Sequence, residues 1–221
     1  TYTTYEPLLF YFEEGLNQIT FENVSSGELY FGDLTVNPPS YIPTYQEYID
    51  SNSYQEIDMD PLFINATEYV EKNSSYVRLT SYGNPSVTPF DSINKKLNII
   101  DGNAWYKAGQ EVTYNVVVEE DGLYDLTFHY ANFKSDFDVF RSIKINGEIP
   151  YRELSGYAFE NTGSRYANQT LEKDGESLKV YLEAGSDGND ITIRAEHSEL
   201  SMYLRDLQLI IDHINQFALD I

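Results

Sequence analysis

The chain has 221 residues, a formal net charge of −22 and no cysteine. It is long enough to bury a hydrophobic core without disulfide bonds, and the lack of cysteine excludes disulfides, thiolate nucleophiles and cysteine-ligated zinc. The negative charge repels nucleic-acid phosphates and anionic lipids, and no apolar run approaches the ~20 residues of a membrane-spanning helix. We therefore expect neither a nucleic-acid partner nor direct insertion into a membrane.

Two similar stretches lie near opposite ends of the chain, FYFEEGLNQITFENV at 10–24 and VYLEAGSDGNDITIRAE at 180–196. In each, alternating apolar residues stop at a glycine-containing turn and restart at Ile-Thr, which predicts a β-hairpin with one buried face. The residues Tyr11, Glu13, Gly15, Asn17, Ile19 and Thr20 match Tyr181, Glu183, Gly185, Asn189, Ile191 and Thr192. Because only nine residues precede the first copy, we expect it to be the tail of an upstream module in a longer protein.

Helices are predicted at two places. TYQEYID at 44–50 begins with Thr44 and Glu47 at the spacing of a capping box, which predicts a short helix. Near the end of the chain, apolar residues recur at three-and-four spacing, which predicts a helix from about 199 to 219. The polar, acidic stretch 51–62 is the predicted linker between modules.

Strand patterns fill most of the chain between these helices. FINATEYV at 63–70 and EVTYNVVV at 111–118 have strand character, and the latter is followed by Asp121-Gly122, which predicts a hairpin turn. RSIKING at 141–147 alternates and ends at Asn146-Gly147, a second turn signal. Short strands separated by turns predict an antiparallel β-sandwich.

These signals divide the chain into four parts. Residues 1–50 are the tail of an upstream β-sandwich module with a short helix, and 51–62 form the linker. Residues 63–198 are the β-sandwich module, and 199–221 are a C-terminal helix leading to a following domain. The expected fold is therefore mostly β, with an N-terminal β-segment from a preceding module.

The order of four stretches carries a resemblance to a known family: VVVEEDGLYDLTFHYAN, RSIKINGEIPY, LEAGSDGNDITI and LRDLQLIIDHIN. This order resembles the galactose-binding-like β-sandwiches of carbohydrate-binding module families 6 and 35. It is also similar to the paired sandwich modules of large exported Firmicute proteins that act as solute-binding components of sugar ABC transporters. The resemblance implies a jelly-roll sandwich, a location outside the cell or at its surface, carbohydrate as ligand, and neighbouring domains of the parent chain as partners.

The same resemblance raises a structural calcium site. In families 6 and 35 an Ala-Glu pair on the first strand supplies a carboxylate to the ion, but INATEYV has Thr67 at that place and Glu68 next to it. Glu68 and Asp206 are the candidate ligands that the resemblance implies. Calcium takes six or more oxygen ligands, so two solvated carboxylates are the alternative interpretation.

Sugar binding requires an aromatic face against the C–H side of a pyranose and polar groups for its hydroxyls. Three loops combine both kinds of group: DGNAWYKAGQ, HYANFKSDFDVFR and GYAFENTGSRYANQ. They supply the candidate ligand-binding residues Trp105, Tyr106, Tyr130, Asn132, Phe133, Arg141, Tyr157, Arg165, Tyr166 and Asn168. Packing in the core or anchoring of a loop is the alternative role for each residue.

No motif for catalysis stands out. His129, His197 and His213 occur in unlike contexts, and no local motif selects a pair of acids for glycoside hydrolysis. We expect a non-catalytic extracellular carbohydrate-binding module within a larger sugar-uptake or glycan-binding protein. The alternatives are an architectural module that joins domains and binds no sugar, and a hydrolase, which would need two carboxylates converging in a pocket.

Overall fold

The computed structural model describes residues 12–22, 27, 28, 30, 32–36, 38, 41–133 and 137–197. The chain divides into two compact units, Thr1–Tyr41 and Ile42–Ile221. The C-terminal helix predicted at 199–219 lies outside the described residues, as does Asp206. Within the described ranges, no helix has the length and apolar character needed to cross a membrane.

The second unit consists mainly of short antiparallel strands. Its elements are α1 (Tyr45–Asp50), β1 (Glu71–Lys72), β2 (Leu79–Thr80), β3 (Ile99–Ile100), β4 (Glu111–Val116), β5 (Gly122–Tyr124), β6 (Thr127–Tyr130), β7 (Val139–Ile145), a 3₁₀ turn (Arg152–Leu154), β8 (Tyr157–Phe159), β9 (Ala167–Thr170), β10 (Glu172–Lys173), β11 (Glu176–Ser177), β12 (Val180–Leu182) and β13 (Asn189–Ala195). The expectation of a mostly β protein is confirmed.

A five-stranded antiparallel sheet in the order β1-β4-β13-β7-β8 is the largest element of the fold. Its central strand β13 pairs with β4 on one side and β7 on the other, so that Thr192 lies opposite both Thr113 and Lys144. Side chains alternate between the two faces of a strand. Ile143 and Ile191 accordingly face the core, whereas the row through Thr192 lines the outer face.

Two-stranded antiparallel pairs provide the rest of the sheet structure: β5–β12, β6–β9, β2–β3 and β10–β11. Side chains of β5, β9 and β12 with their flanking residues join those of the five-stranded sheet in one buried cluster that includes Tyr124, Leu171 and Leu182. Tyr151 is fully buried in the same cluster. Sheet structure on both sides of a shared core is the arrangement of a β-sandwich.

The predicted turn at Asn146-Gly147 is confirmed. Both residues have positive φ, 51° and 88°, as a type I′ turn requires, and Ile145 pairs with Glu148 across it.

The hairpin predicted at Asp121-Gly122 is wrong, because β4 lies in the five-stranded sheet and β5 pairs with β12. The hairpin predicted at 180–196 is wrong for the same reason: β12 and β13 lie in different sheets, and the turn between them is a β-arch that crosses from one to the other. Residues 12–22, the described core of the first copy, contain no strand and are exposed, so the predicted hairpin is absent there too.

Residues 42–57, here called the strap, pack against the strands of the second unit, to which they belong. The capping box is confirmed: Thr44 Oγ1 accepts from Glu47 N, and Glu47 Oε2 accepts from Thr44 N at 2.8 Å. Beyond α1, Leu123 N donates to Gln55 O at 2.8 Å and Ile57 N donates to Leu123 O at 3.2 Å. The predicted linker 51–62 therefore begins inside the second unit, and its first residues are docked on β5.

Tyrosine rings add to this docking. Tyr54 stacks on Tyr181 with centroids 4.3 Å apart, and Tyr45 and Tyr48 lie 4.9 and 5.1 Å from the buried Tyr151. The strand predicted at 63–70 is wrong in position, since this stretch has no strand and β1 begins at Glu71. Val70 N nevertheless donates to Thr113 O at 2.8 Å and leads the chain into the sheet.

Candidate functional site

Two loops joined by polar side chains, residues 73–78 and 101–110, form the best-defined candidate site and are called the loop pair. Asn73 connects them directly: its Nδ2 donates to Gly109 O at 2.7 Å, and its Oδ1 accepts from Glu111 N at 2.8 Å. Ser74 Oγ accepts from Gln110 Nε2 at 3.3 Å. These contacts hold two loops that are distant in sequence in one fixed arrangement.

Asp101 shapes the first half of the 101–110 loop. Its Oδ1 accepts from Asn103 N at 2.9 Å, and its carbonyl accepts from Ala104 N and Trp105 N. The hydrogen bond from Asn103 N is the main reason that the pKa of Asp101 lies below its usual range. Arg78 in the other loop reaches Asp101 Oδ2 at 3.1 Å. The turn is therefore formed by a side chain that also ties it to the partner loop.

Gln110 shapes the second half of that loop. Its side chain is buried, and Oε1 accepts from Tyr106 N at 3.0 Å and from Lys107 N at 2.9 Å. Its carbonyl accepts from Trp105 Nε1 at 3.1 Å. Buried polar groups are costly unless they are hydrogen-bonded, so these contacts favour a single conformation of the loop.

The loop pair presents two tyrosine rings to solvent. Tyr76 is 68% exposed and Tyr106 is 64% exposed. Lys107 Nζ lies 4.6 Å from the ring centroid of Tyr76, a cation–π contact that orients this ring. Large aromatic side chains left in water on a rigid loop are typical of recognition surfaces.

Trp105 and Arg141, both predicted as site residues, contact each other at the 101–110 loop. The Arg141 guanidinium carbon is 4.8 Å from the Trp105 ring centroid, and Nη2 donates to Trp105 O at 3.1 Å. Burial lowers the pKa of Arg141 to about 10, so the group stays charged at neutral pH. Because the guanidinium packs on the indole and binds its backbone carbonyl, this pair ties the 101–110 loop to β7.

A polar pocket of about 250 Å³ on the outer face of the five-stranded sheet adjoins the loop pair at Asn73. It is lined by Glu71, Asn73, Glu111, Thr113, Lys144, Gly147, Asp190 and Thr192. Lys144 Nζ is 2.6 Å from Glu111 Oε1, and the hydroxyls of Thr113 and Thr192 are 2.8 Å apart. The pocket offers donors and acceptors for hydroxyl groups.

Tyr166 belongs to a separate aromatic cluster. It stacks with His129 at 5.2 Å and lies 5.2 Å from Tyr82. The His129 ring nitrogens contact Asn168 Oδ1 at 2.6 Å and Ser86 O at 2.9 Å. Burial raises the pKa of Tyr166. These contacts anchor the ring of Tyr166 against His129 of β6 and against Tyr82.

Arg165 and Phe133 are exposed side chains of the other two predicted loops. The backbone N–H of Arg165 donates to Thr162 O at 3.4 Å, and Phe133 is 38% exposed. Within the described part of the chain, no hydrogen bond, ion pair or ring contact joins either side chain to the loop pair or to the Tyr166 cluster.

Tyr130, Asn132 and Tyr157, also predicted as ligand-binding residues, support the fold. Tyr157 and Asn132 are buried, and the Tyr130 ring packs edge-on against Phe159 at 5.1 Å. Asn132 Nδ2 donates to Phe137 O at 2.8 Å. Their polar side-chain atoms form hydrogen bonds with nearby backbone carbonyl groups. Little of their surface is therefore left to contact a ligand.

Glu68, the described member of the predicted calcium pair, bonds back to its own loop. Its Oε2 accepts from Asn65 N at 2.8 Å. Within the part of the chain that the structure describes, no three His, Cys, Asp or Glu side chains cluster as a metal site. The calcium site stays a prediction, since Asp206 is outside those residues.

Sequence reasoning did not single out Tyr76 as a site residue. It lies in a Ser- and Asn-rich stretch, NSSYVR, that carries no aromatic cluster of its own. Its neighbours in space come from a loop about thirty positions later, and contacts at that separation leave no local pattern.

No family model and no curated protein matches this sequence. A solved structure described as "Native structure of a family 35 carbohydrate binding module from Clostridium thermocellum" is similar to this chain, with a TM-score of 0.48 and 19% sequence identity. The match covers 63% of this chain and 89% of that chain. A likeness at this level transfers neither a ligand nor a binding residue, so the candidate site rests on its own geometry.

Proposed function

We propose that the second unit is a non-catalytic carbohydrate-binding module that binds glycans or oligosaccharides at the loop pair. The observation that carries this proposal is the presentation of two exposed tyrosine rings, Tyr76 and Tyr106, on backbone that buried polar side chains hold in place. The family resemblance in the sequence motifs also favours it. In this proposal the module works outside the cell or at its surface, as part of a larger sugar-uptake or glycan-binding protein.

The physical reasoning concerns the cost of ordering. A sugar that stacks on an aromatic ring gains dispersion and C–H contacts, but the gain is reduced if the loop must first be ordered. In the loop pair this ordering is already complete, because Gln110 and Asn73 fix both loops in the free protein. The adjoining pocket with Glu111, Lys144 and Thr192 supplies hydrogen bonds for hydroxyl groups. Stacking thus provides affinity and the pocket provides selectivity.

A glycan array followed by calorimetric titration tests the proposal. We expect the wild-type chain to bind at least one oligosaccharide, and Tyr76→Ala or Tyr106→Ala to weaken that binding by about 3- to 10-fold each, which corresponds to about 1 kcal/mol of stacking. Phe63→Ala is the matched control, because Phe63 is 87% exposed and lies outside the loop pair. We expect this control to bind like the wild type.

Two results would contradict the proposal. If the wild-type chain bound no glycan on a broad array, carbohydrate binding itself would be excluded. If it bound glycans and the two tyrosine variants bound as well as Phe63→Ala, the site would lie elsewhere on the module.

An architectural role is the second candidate function. It is favoured by a run of exposed apolar side chains directly after the strap: Met59, Leu62, Phe63 and Ile64 are 45%, 55%, 87% and 40% exposed. Contiguous exposed apolar surface of this kind is typical of contacts with another domain. This role predicts an empty glycan array for the wild-type chain, so the first experiment separates the two functions.

A further inference from the structure

Three consecutive residues where β13 ends, 194–196, hold the 101–110 loop although they lie outside the loop pair. The middle one, Ala195, binds this loop through its backbone: Gly109 N donates to Ala195 O at 2.8 Å, and Ala195 N donates to Gln110 O at 2.9 Å. Ala195 is fully buried. The loop is therefore attached to the five-stranded sheet at a buried position, and the residues on either side of that position are both charged.

Glu196 lies next to the guanidinium of Arg141. Two donors share one oxygen there, because Phe140 O accepts from Glu196 N at 3.1 Å and from Arg141 Nη1 at 2.8 Å. Burial lowers the pKa of Arg141, and the Glu196 carboxylate counteracts this shift. Glu196 therefore provides negative charge beside a buried cation.

Arg194 extends these contacts toward the polar pocket. Its Nη1 lies 3.4 Å from Glu196 Oε1, and its Nε lies 3.8 Å from Glu111 Oε1. Glu111 Oε1 is also 2.6 Å from the Nζ of Lys144, which lines the pocket. Charges of alternating sign thus follow one another, and this series is here called the charge chain: Arg141, Glu196, Arg194, Glu111 and Lys144.

The middle of the charge chain is shielded from water. The side chains of Arg194 and Glu196 are only 10% and 9% exposed. A buried charge is costly unless opposite charge and hydrogen bonds compensate it, and removal of one partner leaves the other uncompensated. Loss of the Glu196 charge would leave two guanidinium groups, those of Arg141 and Arg194, without the carboxylate beside them.

We propose that Glu196 is a positioning residue of the binding site, which acts through Arg141 to hold Trp105 and the adjoining Tyr106 in the conformation that receives a sugar. Arg141 contacts Trp105 twice, since its Nη2 donates to Trp105 O at 3.1 Å and its guanidinium carbon lies 4.8 Å from the ring centroid. A guanidinium that turned toward solvent would release both contacts. The inference rests on the proposed function of the loop pair, and Glu196 itself does not contact the sugar.

The fluorescence of Trp105 tests this role directly, because the chain has a single tryptophan. Glu196→Gln keeps the shape of the side chain and removes its charge. We expect its emission to shift to longer wavelength and acrylamide quenching to rise about twofold, because the loop opens more often. Glu176→Gln is the matched control, since Glu176 is an exposed residue of β11 outside the charge chain, and we expect it to match the wild type.

Calorimetric titration with an oligosaccharide that the wild-type chain binds measures the effect on the site. We expect Glu196→Gln to weaken binding by about 3- to 10-fold, and Glu176→Gln to leave it unchanged. Glu196→Asp restores a carboxylate on a shorter side chain. We expect it to recover most of the wild-type emission and affinity, which a purely structural role of the glutamate side chain would not predict.

Nuclear magnetic resonance of the guanidinium groups in the wild-type chain gives a test that needs no variant to fold. We expect separate Nη1 and Nη2 signals for Arg141, because its contacts hinder rotation about the Nε–Cζ bond, and averaged signals for the exposed Arg152. Averaged signals for Arg141 would mean that its guanidinium is not held, which would overturn the proposal.

The variants can overturn it in three ways: wild-type fluorescence in Glu196→Gln, a Glu196→Asp variant that behaves like Glu196→Gln, or altered fluorescence without any loss of affinity. If the wild-type chain bound no oligosaccharide, the proposed function would fail and the binding role of Glu196 with it. The fluorescence of the variants would still decide whether Glu196 holds Trp105, so the two failures are distinguishable.

Discussion

Replacement of Gly122 by alanine is expected to detach the strap from β5. A Cβ at this position would lie 2.6 Å from Gln55 O and 2.5 Å from Ile57 Cγ1. The Ile57 side chain could rotate away, but the Gln55 carbonyl belongs to the backbone and can retreat only if the strap moves. Gly122 does not have a positive φ, so the alanine would be unstrained in β5 itself, and the clash with the strap is the main effect.

The expected loss can be worked out from the contacts between the strap and β5. Moving the strap breaks the bonds from Leu123 N to Gln55 O and from Ile57 N to Leu123 O, each worth about 1 kcal/mol. Partial exposure of the half-buried Ile57 side chain adds about 1 kcal/mol. The reduced freedom of alanine in the unfolded chain returns about 0.5 kcal/mol. We therefore expect Gly122→Ala to lower the free energy of unfolding by about 2–3 kcal/mol.

Urea unfolding followed by fluorescence and circular dichroism measures this difference. Gly83→Ala is the matched control, because a Cβ there meets nothing within 4 Å, and we expect it to change stability by less than about 0.5 kcal/mol. In Gly122→Ala, the amides of Leu123 and Ile57 should also exchange faster. If the two alanine variants had the same stability, the strap would not be held by β5 in solution.

Three further predictions concern stability and binding. Asn189→Ala should lower the free energy of unfolding by about 3 kcal/mol in urea, because the partly buried N–H and C=O of Glu183 and the buried C=O of Val116 lose the Asn189 amide as a partner; a loss under about 1 kcal/mol would contradict this. Burial raises the pKa of Tyr130 to about 12 and that of Tyr151 above its usual range, so the folded state keeps protons that the unfolded chain loses above pH ~10. Stability should then be level up to about pH 10 and fall above it, as shown by tyrosinate absorbance and circular dichroism along a pH series; a fall that began near neutral pH would contradict this. Glycan affinity should change less than about twofold between about 0.05 and 0.5 M salt, since stacking is not screened; a tenfold loss would indicate a charged ligand.

Features of the fold that depend on neighbours in sequence were predictable. The capping box of Thr44 and Glu47 and the turn at Asn146-Gly147 each involve a few consecutive residues, and both occur as expected. Alternation also identified buried positions such as Ile143. These signals come from residues a few positions apart, so the sequence alone is enough to identify them.

Strand pairing was not predictable in the same way. Alternation shows that β4 and β5 each have a buried face, but both a hairpin and an arch satisfy it, and the structure has the arch. Gly122 was interpreted as a turn residue, although its small size is required by the carbonyl of Gln55, a contact between distant positions. The strap was missed because Tyr54 and Ile57 are isolated apolar residues in an acidic stretch and form no periodic pattern.

The candidate site shows the same division. Trp105, Tyr106 and Arg141 were predicted from aromatic and basic residues in loops, and the fold brings Arg141 onto Trp105. Tyr157 and Asn132 have the same composition signal but are buried, because the residue types that bind sugars also satisfy backbone groups under loops. Whether such a residue is free to bind sugar or is buried beneath a loop depends on the long-range contacts of that loop.

Charge then narrows the kind of glycan that would fit the proposed site at the loop pair. The chain carries a net charge of −22. The cations in and next to the loop pair have partners there: Arg78 pairs with Asp101, Lys107 lies over Tyr76, and Arg141 of β7 lies over Trp105. An acidic sugar would have to draw one of these groups from its partner against the field of the whole protein. An uncharged sugar does not need a cation to leave its partner and is not repelled by the negative charge of the protein. It can still stack on Tyr76 and Tyr106. The geometry of the loop pair and the composition of the chain therefore favour the same class of ligand, a neutral oligosaccharide.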